Sequence, residues 1–132
     1  MEQKYLDHHA RVRSELLEIK GLAAKNDLKS YAKALIVHLD KLSGIMTGHF
    51  VDEYRYIFPM MKAKEGEIEE IARKLEESSR SVTSVFDSFR MLYNTESKIL
   101  NDAESFAEQL EKISKKIENH FEQEAEKLYK NM

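Results

Sequence analysis

LKSYAKALIVHLDKLSGIMTGHFVDEYRYIF, residues 28–58, decides the fold. Leu28, Ala32, Leu35, Leu39, Leu42, Met46, His49, Glu53 and Tyr56 recur along it at alternating steps of four and three. That spacing marks one face of an α-helix. The stretch predicts a helix from about Leu28 to Phe58, closed by Pro59, because the residue before a proline is pushed out of the α region. Two places on the stripe are not apolar. His49 and Glu53 hold positions that leucines and Met46 hold farther back. Residues four apart project from one helix face, so an inward stripe aims both groups into the core.

The same periodicity extends outward in both directions. Helix A is expected over about Gln3 to Lys25, with the stripe Tyr5, His9, Val12, Leu16, Ile19 and Ala23. Asn26-Asp27 reads as the turn, with Asp27 capping the next helix. Helix C is expected over about Lys62 to Tyr93, on Ile68, Ile71, Leu75, Ser78, Val82, Val85, Phe89 and Leu92. Its run Ser78-Ser79-Arg80-Ser81 interrupts the apolar face and reads as a bend. Asn94-Thr95 makes the last turn. Helix D is expected over about Glu96 to Lys130, on Ile99, Ala103, Phe106, Leu110, Ile113, Ile117, His120, Glu124 and Leu128. Short turns between long helices make antiparallel neighbours. The expected architecture is all-α, an up-down-up-down antiparallel four-helix bundle spanning residues 1–132 as one domain.

Composition agrees and excludes several classes of function. One proline and four glycines among 132 residues suit long helices. A formal net charge of −3, with Lys and Arg scattered, argues against nucleic-acid binding. No cysteine is present, which removes disulfides, thiolate zinc sites and iron–sulfur clusters. No apolar run approaches a membrane span, and Met1-Glu2-Gln3-Lys4-Tyr5 lacks a signal-peptide core. The expected location is cytoplasmic.

A second copy of the polar step lies on helix D. His49-Phe50-Val51-Asp52-Glu53 and His120-Phe121-Glu122-Gln123-Glu124 both read His-Phe-x-x-Glu. His9 lies about seven residues into helix A, and His49 and His120 each lie about ten residues before their helices close, so in an up-down bundle the three fall within roughly one turn of a common level. Glu53 and Glu124 lie one turn nearer the same end. Five ionisable groups converging in an apolar interior are costly unless something binds them. Nitrogen and oxygen donors without sulfur suit iron, manganese or zinc. The metal ligands expected from this reading are His9, His49, Glu53, His120 and Glu124. His8 points about 100° away from His9 and is expected exposed or behind a ligand. His38 shares nearly the same face as His49 but lies about 16 Å away along the axis, too far for one compact site.

These residues resemble the hemerythrin-like, or HHE cation-binding, domain family: a histidine early in helix A, His-Phe-x-x-Glu with Phe58-Pro59 after it, and His-x-x-x-Glu late in helix D. The resemblance spans nearly the whole chain and implies a four-helix bundle with a non-haem iron site, usually two irons bridged by two carboxylates. It further implies that His9, His49 and His120 match terminal ligands and that Glu53 and Glu124 match the bridging carboxylates. The family places one or two histidines on helix C, where this chain has none. Ile68, Ile71 and Ala72 are expected at the site's level there, with Glu65 and Glu69 the nearest substitutes. One iron position would keep His9, His49 and both carboxylates, and the other only His120 and the shared carboxylates. The site is therefore expected to hold one metal tightly and a second weakly, or one metal alone. Three functions stay open: a domain that binds or senses dioxygen or another small ligand at iron; an iron-dependent redox enzyme handling peroxide, nitric oxide or ferrous ion; and a metal-free helical interaction module.

Overall fold

The computed structural model describes residues 2–132; Met1, the first residue of the expected domain, lies outside the described residues. Among the described residues there are six α-helices: α1 (Glu2–Ala23), α2 (Leu28–Asp52), α3 (Phe58–Lys62), α4 (Gly66–Leu92), α5 (Glu96–Asn101) and α6 (Ala103–Gln123). Five-residue π turns follow α2 (Glu53–Ile57) and α6 (Glu124–Leu128), and a 3-10 turn closes the chain at Tyr129–Asn131. No strand occurs among the described residues, and none of their helices is long and apolar enough to cross a membrane.

The stripes of α1, α2 and α6 are buried nearly as spaced. Val12, Leu16 and Ile19 of α1, Leu35, Leu39, Leu42 and Met46 of α2, and Phe106, Leu110, Ile113 and Ile117 of α6 share one core cluster with Val82, Phe86 and Phe89 of α4. A smaller cluster holds Tyr5, Ile57, Phe58, Met61, Ala72, Leu75, Leu128 and Tyr129. Helix α1 packs on α2 and α6, α4 on α3 and α6, and α5 on α2. Each fully buried leucine or phenylalanine contributes about 1.5–3 kcal/mol of transfer free energy.

Several expectations need correction. Pro59 does not end the second helix. Helix resumes at Phe58 and runs to Lys62. The π turn before it widens the backbone, with the Phe58 N–H reaching back to the Glu53 carbonyl, and so accommodates a ring that would clash in a regular α turn. The chain reverses instead at residues 63–65, where Glu65 (φ 58°) and Gly66 (φ 64°) both sit in the left-handed region. The same π turn shifts the stripe's phase, so Ile57 is fully buried and Tyr56 is 59% exposed.

Helix D is likewise not continuous. Asp102 (φ −145°, ψ 51°) breaks it between α5 and α6. Asn101 and Asp102 are residue types whose short polar side chains favour non-helical backbone. Helix A ends at Ala23, short of Lys25. Asp27 stands at the N-cap of α2, yet its carboxylate accepts from the Ser30 hydroxyl and not from a backbone N–H. Thr95 does cap, accepting from the Lys98 N–H at 3.2 Å.

On α4 the inward face is offset from the expected stripe. Ala72, Leu75, Ser79, Val82, Phe86 and Phe89 are buried, while Val85 and Leu92 lie at the surface. The serine run makes no break, since α4 is continuous from Gly66 to Leu92.

Candidate metal centre

The polar members of the stripes meet where the two apolar clusters join. His9, His49, Glu53, His120 and Glu124 are each at most 2% exposed. Three elements bring them together: α1 carries His9, α2 with its π turn carries His49 and Glu53, and α6 with its π turn carries His120 and Glu124.

Glu124 stands at the middle. Its Oε1 lies 3.0 Å from His9 Nε2 and 3.2 Å from His49 Nε2, and its Oε2 lies 3.3 Å from His120 Nε2. Glu53 Oε1 lies 3.2 Å from His49 Nε2. Two triads able to hold an ion therefore adjoin: His9, His49 and Glu124, and Glu53, His120 and Glu124, each with donor atoms within 4.8 Å of one another. Glu124 belongs to both. Glu53 Oε1, His120 Nε2 and Glu124 Oε2 have no hydrogen-bond partner although they are buried. These orphans come from the three residues of the second triad. A buried polar atom left unpaired costs about 1–3 kcal/mol, and three converging on one point match what a cation would satisfy. The donor set fits the nitrogen-and-oxygen metal ions expected from the sequence.

Two of the three imidazoles are held from behind, while His9 Nδ1 is buried without a partner. His8 Nδ1 lies 3.1 Å from His49 Nδ1, and Ser78 Oγ lies 2.8 Å from His120 Nδ1. Each contact leaves Nε2 aimed into the centre. His8, His49, Arg11, Lys41 and Asp52 also line a surface cleft, so His8 stands between the centre and solvent. The phenylalanine shared by both sequence copies acts across helices. Phe121 stacks on His9 with ring centroids 3.8 Å apart and planes 5° from parallel. Phe50 lies 5.7 Å from His120.

Burial and crowding divide the protons. The Glu53 carboxyl is raised well above the usual range by burial and by the Glu124 charge. Glu124 is held well below it despite burial, by the imidazoles of His120, His49 and His9 that face it. Burial opposes protonation of His49, but the neighbouring carboxyls of Glu124 and then Glu53 outweigh it and lift the imidazole to about 9. His9 is lowered, chiefly by burial. The surroundings thus favour the charged form of Glu124 and of His49 and the neutral form of Glu53.

Tyr129 is a member of the centre that stripe periodicity does not find. Its side chain is buried, and its hydroxyl donates to Glu53 Oε2 at 2.6 Å. An α-helix would carry the fifth residue after Glu124 about 140° around the axis. The π turn, whose Tyr129 N–H bonds to the Glu124 carbonyl, returns it toward the same face. Burial, with the Glu124 and Glu53 charges, pushes the phenol far above its ordinary value.

The remaining candidates lie elsewhere. Glu65 is exposed in the 63–65 turn, and Glu69 pairs with Arg73. Neither joins the centre. The level of His120 on α4 is Ser78, farther along than Ile68, Ile71 and Ala72, because the turn into α4 starts later than expected. His38 bonds through Nδ1 to Glu15 Oε2 at 2.8 Å and takes no part.

The sequence profile described as Hemerythrin HHE cation binding domain matches residues 2–131. No curated protein and no solved structure matches the chain.

Proposed function

The chain belongs to the hemerythrin HHE cation-binding family, and from that membership we propose a non-haem iron protein that binds or senses dioxygen, or a related small ligand, at a site of one or two ions. The observation that supports this most is the shared carboxylate: Glu124 faces His9 and His49 with one oxygen and His120 with the other. His9, His49 and Glu124 would hold one ion; Glu53, His120 and Glu124 would hold a second. On α4, Ser78 contacts His120 Nδ1 and Ser79 contacts the Tyr54 hydroxyl, so this helix adds no donor to either triad and both positions keep open coordination. Open positions are where small molecules bind.

Iron, when bound, supplies reversible ligation and one-electron exchange. The chain's own groups do the rest. Phe50, Phe121, Ile57 and Leu128 exclude water, His8 and Ser78 fix two imidazoles, and Tyr129 holds a proton against Glu53. The packing of α1 on α2 and α6, and of α4 on α6, supports a single up-down-up-down four-helix bundle. The test is metal identity and stoichiometry in protein purified from iron-grown cells, followed by the absorption difference on admitting oxygen to the ferrous form. Protein that carries no transition metal, and takes up none from ferrous solution, contradicts the reading.

A further inference from the structure

The geometry points to Tyr129 as a metal ligand, its phenol oxygen sharing an ion with His9, His49, Glu53 and Glu124. This rests on the metal-binding reading above and adds a residue to it.

Four donor atoms surround the Tyr129 oxygen. Glu53 Oε2 lies at 2.6 Å, Glu124 Oε1 at 3.1 Å, His9 Nε2 at 3.1 Å and His49 Nε2 at 3.5 Å. A phenol has one proton and can donate to one of them. The contact to Glu53 uses that proton, which leaves the phenol and Glu124 oxygens facing each other lone pair to lone pair. A cation among these atoms relieves the opposition.

The spacing has the dimensions of a coordination shell. Metal bonds to nitrogen and oxygen of roughly 2.1 Å put neighbouring ligand atoms about 3.0 Å apart in an octahedron and about 3.4 Å apart in a tetrahedron. The contacts of Tyr129 to Glu124 and His9, both 3.1 Å, fall in that range, as do those of Glu124 to His9 and His49, at 3.0 and 3.2 Å. The phenol is placed as firmly as the other donors. The π turn fixes its backbone, and Tyr5 stacks on its ring with centroids 5.5 Å apart. On ligation the O–H bond breaks, an oxygen–metal bond forms, and one proton leaves to solvent with no change in oxidation state.

The probe is ferrous ion added under argon and then oxidised by air. The ferric protein should show a visible phenolate-to-metal charge-transfer band. Its resonance Raman spectrum should carry tyrosine ring modes that shift when the protein is made with ring-deuterated tyrosine. Tyr129→Phe should lose the band and modes while keeping bound iron, and Tyr5→Phe should keep both. Stoichiometric iron without tyrosine modes in the unmodified protein overturns the assignment and leaves the metal-binding reading standing. Modes that persist in Tyr129→Phe also overturn it. No bound iron at all overturns both. The unmodified protein decides the matter even where Tyr129→Phe folds poorly.

Discussion

Glu124 has every donor of the centre within reach and is the only carboxylate there held ionised. Removing a histidine that faces it should cost more metal than removing one that does not. His49→Ala and His120→Ala are expected to cut bound metal sharply, and His38→Ala to leave it unchanged, by elemental analysis of the purified variants. Equal metal in all three contradicts the ligand set. Ser78→Ala should act more mildly. It removes the hydroxyl behind His120 without touching Nε2, and loss of such an outer partner typically lowers affinity about 10–100-fold. The proton inventory gives a further expectation. His49 is raised to about 9 in the metal-free centre, and an imidazole must lose its proton to ligate. Metal affinity should therefore climb as pH rises toward about 9, roughly tenfold per unit for each proton displaced, and level off above. A chelator-competition titration that stays flat across this range refutes the assignment of these protons.

At the scale of elements, the two π turns separate what the sequence displays from what it hides. His9, His49, Glu53, His120 and Glu124 all take places on a 4-3 stripe, so counting along the chain finds them. Each π turn begins at a stripe glutamate and adds a residue to one turn. Beyond it the count is out of phase, which is why Ile57 replaces Tyr56 in the core and why Tyr129 escapes notice. The displaced reversal before α4 has the same effect, moving the level of the centre from Ile71 and Ala72 to Ser78. The sequence places His8 exposed or behind a ligand and Ser78 on the stripe, but neither position marks the ring nitrogen the residue touches. The reversal at Glu65 and Gly66 can be tested directly. A Cβ at Gly66 meets nothing within 4 Å, but the backbone there has φ 64°. Gly66→Ala should thus cost about 1–2 kcal/mol through backbone conformation alone and lower the Tm by several degrees, with metal content unchanged. A neutral result in thermal unfolding would mean that the chain reverses otherwise.

At the scale of the whole molecule, the question is whether the metal builds the fold or is received by it. The larger apolar cluster runs from Val12 to Phe121 and draws on α1, α2, α4, α5 and α6 without using any of the five ionisable groups. Its buried leucines and phenylalanines contribute about 1.5–3 kcal/mol each, so the helices hold together without an ion. The centre sits where this cluster adjoins the smaller one, and there Glu53 Oε1, His120 Nε2 and Glu124 Oε2 lack hydrogen-bond partners. Binding should satisfy them and tie α1, α2 and α6 together at one end. An ion present at a hundred times its Kd stabilises the native state by about 2.7 kcal/mol, which for a domain of this size raises the Tm by roughly 10 °C. Chelation is accordingly expected to lower the Tm by about that amount and leave the far-UV helical signal intact. A random-coil spectrum after chelation would show instead that the ion is part of the core, as in small domains that fold only around their metal.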